Sequence, residues 1–103
     1  MEVKVRHYSD IEGDSMGEGV TMRWVISPKD GAENFYMRIV EAQLGSEGPP
    51  LHHHDYEHEM YILEGEGTLV DDEGERPVKE GDVIYIPSNS NHTLKHPNGL
   101  RFI

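Results

Sequence analysis

The stretch Leu51-His52-His53-His54-Asp55-Tyr56-Glu57-His58-Glu59-Met60-Tyr61-Ile62-Leu63-Glu64-Gly65 decides how this chain is read. It follows the Pro49-Pro50 turn and leads into an apolar alternation, which marks the entry to a β-strand. In extended backbone, residues two apart face the same way, so His52 and His54 aim their imidazoles at one point while His53 looks elsewhere. His58 restarts that parity with Met60 and Ile62 and offers a third donor on the continuing strand. Met60, on the His58 face, reads as pocket wall rather than as a soft ligand. Neutral imidazole suits zinc, copper, iron, nickel and, more weakly, manganese, and a divalent ion commonly takes at least three such donors. A fourth ligand must then come from distant sequence.

Outward from this stretch the dominant period is two. Val20, Met22, Trp24 and Ile26 fall on one face of a strand, and Phe35, Met37 and Ile39 on one face of another. Further strand signals lie at 59–63, 67–70, 83–86, 93–94 and 100–103. Between them stand breakers such as Ser27-Pro28-Lys29-Asp30-Gly31 and Asp71-Asp72-Glu73-Gly74-Glu75. No segment carries an apolar stripe of helical period, so the pattern predicts an all-β sandwich or barrel. The run 10–19, with three glycines and four acids, reads as a loop after a short first strand.

Composition narrows the function. At 103 residues and 11.7 kDa the chain has room for one domain, 1–103, with one thin core in which Trp24, Phe35, Tyr36, Tyr61 and Tyr85 sit inside apolar stretches. The formal charge of −11 argues against nucleic acid and anionic membrane as partners. With no cysteine, histidine and carboxylate remain as metal ligands. The first residues lack an apolar core of signal-peptide length, which predicts a cytoplasmic protein.

A second pattern lies downstream. Gly81-x5-Pro87-x-Asn89-x2-His92-x3-His96 resembles the second cupin motif, Gly-x5-Pro-x-Gly-x2-His-x3-Asn, just as His52-x-His54-x3-His58-x6-Gly65 resembles the first, His-x-His-x(3,4)-Glu-x6-Gly. Motif 1 spans about 52–65 and motif 2 about 81–96, in the right order and at the spacing of compact bacterial and archaeal cupins. The resemblance implies a double-stranded β-helix (jelly-roll-like) barrel holding one divalent transition metal (Mn, Fe, Zn, Ni or Cu) through His52, His54, His58 and His92. Counting back from Gly65 puts the third ligand at His58 rather than Glu59, so a histidine replaces the family's glutamate; small manganese-containing monocupins look like this. Asn89 replaces the turn glycine, a tolerable swap because asparagine also visits left-handed backbone angles. His96 replaces the terminal asparagine.

Other signals weigh less. Gly13-Asp14-Ser15-Met16-Gly17 matches a nucleophile elbow, but no helix or α/β sheet surrounds it. Leu63-Glu64-Gly65-Glu66-Gly67 is followed by neither helix nor lysine and reads as a tight turn closing the first motif. Arg38 has two readings: a stem lying over apolar surface with its head in water, or, by position in the resembled family, a group pointing into the barrel to bind an anion. Arg38 and Met60 are the candidate substrate-pocket residues, and no catalytic residue is assigned.

An ion held by four histidines with positions left open implies a metal-dependent enzyme on a small anionic or oxygenated molecule, of oxygenase, isomerase or lyase type. The alternative is a binding or sensor barrel that holds its ligand without turning it over. A structural metal is disfavoured because such sites are usually closed and tetrahedral. The resemblance further implies a homodimer, with Val3-Lys4-Val5 extending the neighbour's sheet.

Overall fold

Alternating sequence and turn breakers give eight antiparallel strands in the computed structural model, which describes residues 3–103. They are β1 (Asp14–Ser15), β2 (Val20–Ile26), β3 (Met37–Leu44), β4 (His58–Asp71), β5 (Gly74–Lys79), β6 (Val83–Ile86), β7 (His92–Lys95) and β8 (Asn98–Phe102). The sheet order is β1-β2-β3-β8-β4-β5, and β6 and β7 also pair with β4. β4 is the hub: its first half lies between β8 and β6, its second between β5 and β7. The result is the expected all-β jelly-roll barrel of double-stranded β-helix type.

The core is aliphatic. Ala42, Ile62, Leu69, Val78, Ile84, Ile86, Leu94 and Leu100 form one buried cluster, and Ile62 is fully enclosed. Cross-strand pairs Val20↔Ala42, Met22↔Val40 and Trp24↔Arg38 put these side chains on the face shared with core residue Ala42, as the parity of Val20, Met22 and Trp24 predicts. A register shift between Trp24 and Ile26 then breaks that parity, and Val25 takes the buried place.

Five sequence expectations are corrected. Phe35 lies outside β3, because β2 pairing ends at Ile26↔Met37, and it is 66% exposed. Trp24, Tyr36, Tyr61 and Tyr85 are likewise exposed rather than in the core. The segment around Gly65 is not a tight turn: β4 runs through it as one strand of 14 residues, bulged between Ile62 and Glu64. Gly65 has φ 93°, and a Cβ there would stand 2.5 Å from the Gly99 carbonyl oxygen, so the motif glycine is required by close strand approach. β5 is hidden in the sequence by Pro77, which is accommodated because β5 pairs with β4 alone. Finally, no strand precedes residue 10 among the described residues, whereas the expected loop 10–19 contains β1, paired to Thr21 and Met22.

Candidate metal centre

The two histidine motifs are brought together by backbone. His52 and His92 form an antiparallel bridge, with His52 N donating to His92 O (3.1 Å) and His92 N to His52 O (2.8 Å). Asn89 N donates to His54 O at 2.6 Å, closing the second motif's turn onto the first. Asn89 has φ 63° and is the one non-glycine in the left-handed region among the described residues, the conformation expected of a residue replacing the turn glycine.

One potential ligand atom each from His52, His54 and His92 lies within 4.8 Å of the others. The local bonds say which atom. His52 Nδ1 contacts the Pro50 carbonyl (2.9 Å), His54 Nδ1 the Tyr56 carbonyl (3.2 Å) and His92 Nδ1 the Ser90 carbonyl (2.8 Å). A carbonyl oxygen only accepts, so each Nδ1 carries a proton, and in the neutral ring it is Nε2 that offers the lone pair. The three imidazoles thus share one tautomer when neutral, each with its Nδ1 hydrogen-bonded, the usual support of a metal-ligating histidine. The donor set fits a divalent transition metal. His53 is exposed and faces away.

His58 stands beside this triad. Its ring lies 4.3 Å from that of His54 and 6.3 Å from that of His92 (centroid to centroid). Its Nε2 lies 3.4 Å from Arg38 Nη2, a group that only donates, so His58 also presents a neutral acceptor nitrogen. Burial, then the Arg38 charge, hold the His58 pKa down from 6.5 to about 4. Burial likewise lowers that of His92. Both effects favour the neutral, ligand-competent form. Glu59 is exposed and lies, with Glu57, at the rim of the cavity that His58 lines.

Arg38 shares the inward side of β3 with Val40 and Ala42. Its guanidinium lies over the Trp24 ring at 5.1 Å and reaches Met22 Sδ at 3.6 Å. Arg38, His58 and Met60 line one cavity of about 560 Å³, together with Trp24, Tyr36 and Phe102. The cavity-mouth rings and the three carbonyls that fix the imidazoles were not assigned from sequence. Backbone carbonyls leave no mark there, and exposed aromatics read as core. His96, at the position of the motif's terminal asparagine, is buried, with Nδ1 3.0 Å from the Ser46 hydroxyl, which itself donates to Gln43 O. It braces β7 against the end of β3, away from the triad.

Residues 38–102 match the family model described as the cupin domain. The chain belongs to the cupin family. Among solved structures, this cupin superposes on the polyketide cyclase RemF from Streptomyces resistomycificus with a TM-score of 0.89 and 30% identity, covering 98% of this chain and 76% of that one. A predicted oxalate decarboxylase from Thermotoga maritima gives a TM-score of 0.76 and 29% identity over 96% of this cupin and 94% of its own chain. The quercetin 2,3-dioxygenase of Bacillus subtilis is 28% identical over 87 residues, 82% of this cupin. This cupin spans only 25% of that enzyme's length.

Proposed function

We propose that this cupin is a metal-dependent enzyme acting on a small oxygenated organic molecule, by redox-neutral chemistry at an enolisable carbonyl of the cyclase, isomerase or lyase kind. The observation that carries the reading is the convergence of three tautomer-locked imidazoles next to His58, which lines a cavity together with the cation Arg38. His52, His54 and His92 would hold one divalent ion, with His58 as the fourth ligand once its Nε2 leaves Arg38. Such an ion polarises carbonyl oxygens as a Lewis acid. Arg38 would bind and orient an anionic oxygen of the substrate, Met60 and Phe102 would exclude water from the cavity wall, and the three backbone carbonyls keep the ligand rings from turning. The likeness to a polyketide cyclase, at 30% identity over nearly the whole chain, supports this class of reaction.

Benzoylacetate in D2O under anaerobic conditions tests it, because its enolisable CH2 lies between a ketone and a carboxylate. Metal-loaded protein should accelerate exchange of its α-hydrogens, followed by NMR, and His54→Ala should lose that acceleration. Oxygen consumption without anaerobic exchange would favour an oxygenase, the reading that the dioxygenase likeness supports. Binding without either would leave a ligand-holding barrel.

We infer in addition that two copies pair through the N-terminal segment. Val3 and Val5 are 94% and 92% exposed, and β1 covers only Thr21 and Met22 of the outer edge of β2. A stable dimer of this kind buries roughly 1,200 Å² or more in total. Sedimentation equilibrium showing only a species of 11.7 kDa would refute it.

A further inference from the structure

Among the described residues, the buried hydrophobic ones are all Val, Ala, Ile or Leu; none is aromatic. Aromatic rings carry the largest apolar surface available to a core, yet of one Trp, five Tyr and two Phe in this chain only Phe102 packs against the core, and it is only partly buried. Five of those eight, Trp24, Phe35, Tyr36, Tyr56 and Phe102, line one cavity together with His58. Trp24, Phe35, Tyr36 and Tyr56 are 40%, 66%, 47% and 54% exposed, so they form a mouth open to a ligand rather than a packed wall. Trp24 and Tyr36 meet edge to face at 6.5 Å, while Arg38 covers one face of Trp24 and His54 stacks on one face of Tyr56, so a flat ligand has only the opposite faces of these rings to stack on.

Charge gives an independent indication. Among the described residues, Arg6, Arg23, Arg76 and Arg101 each pair with a carboxylate, whereas Arg38 pairs with none. In a chain of net charge −11, a guanidinium without a carboxylate partner, stacked on Trp24 and half-buried in the aromatic cavity, is placed to receive an anion from outside.

From these two observations we propose that the substrate is a flat, conjugated organic anion, its rings stacked on the aromatic mouth and its carboxylate or enolate oxygens facing Arg38. The cavity of about 560 Å³ lies within the ordinary range for a drug-sized ligand, which admits two or three fused rings. This inference rests on the proposed function of the same site and names its substrate class.

Trp24 is the only tryptophan, so intrinsic fluorescence reports directly from the mouth. Calorimetric titration of the metal-loaded full chain with 2-naphthoate, decalin-2-carboxylate and 2-naphthamide tests the class, with Trp24 emission followed in parallel. Naphthoate should bind about tenfold more tightly than either of the others, since stacking and the charged contact are each worth about that factor. Trp24→Leu should erase the preference over the saturated acid, with Trp24→Phe restoring most of it, and Arg38→Gln should erase the preference over the amide. Equal affinity for naphthoate and decalin carboxylate, or preferences that survive both substitutions, would overturn the inference. Metal content measured on the same samples separates the two readings. Metal-loaded protein without the preferences refutes the substrate class alone, whereas the preferences without metal uphold the class and refute the metal centre.

Discussion

Acidifying the metal-free protein from about pH 7 to about pH 4.5 should destabilise it through His58, and the sign follows from proton linkage. In the folded chain burial, then Arg38, hold this imidazole at about 4, against 6.5 for a free one. As pH falls through that window the unfolded chain takes up the proton first, so unfolding is favoured. The stability His58 contributes is complete above 6.5 and lost as pH approaches 4. The gap sets a ceiling of about 3.4 kcal/mol, and because the ring is partly exposed, solvent screening reduces this to roughly 1.5 kcal/mol. The chain's 20 acidic residues titrate in part of the same range, so the informative quantity is the difference between wild type and His58→Gln. Urea unfolding of both, stripped with chelator and measured at four pH values, should show wild type losing about 1.5 kcal/mol relative to the variant on acidification. Arg38→Met should shrink that difference while leaving the part due to burial. Curves that stay parallel within a few tenths of a kcal/mol would refute the assignment of His58 as a buried neutral imidazole.

Ile62→Ala should cost about 2–5 kcal/mol in urea unfolding, because Ile62 is fully enclosed at the hub strand; a loss below about 1 kcal/mol would contradict the core described above. His53→Ala and Glu59→Gln should keep full metal content after dialysis, whereas His54→Ala should lose it with the barrel still folded by circular dichroism; loss in the first two would reverse the face assignment. The Tyr85 hydroxyl donates to Glu57 Oε2 at 2.6 Å and so pins the segment whose Tyr56 carbonyl holds His54. Tyr85→Phe should weaken metal binding in a chelator competition, by less than the roughly 10–100-fold typical of losing a direct partner of a ligand. Unchanged affinity would show that the segment is held without it.

The legible parts were those governed by strand parity. His52, His53 and His54 alternate in space as they do along the chain, and His58, Met60 and Ile62 share the inward side of β4 while Glu59 and Tyr61 are exposed. Asn89 was readable because few residues other than glycine accept its backbone angle. What failed depended on neighbours. Pro77 disguised an edge strand, Gly65 and Gly67 disguised a continuous one, and aromatic residues in apolar runs gave no sign of facing a barrel mouth. The Ser46–His96 contact joins residues 50 positions apart, beyond any local pattern. The approach of Arg38 to His58 likewise depends on how β3 and β4 close around the cavity, not on either strand alone.

The four-histidine centre is tested most directly by elemental analysis of protein purified without added metal, followed by X-ray absorption at the edge of the metal found. One divalent ion per chain is expected, with four imidazole nitrogens bound to it, three in His58→Ala, and no stoichiometric metal in His54→Ala. Wild-type protein that holds no stoichiometric metal, or a nitrogen count unchanged by His58→Ala, would contradict it.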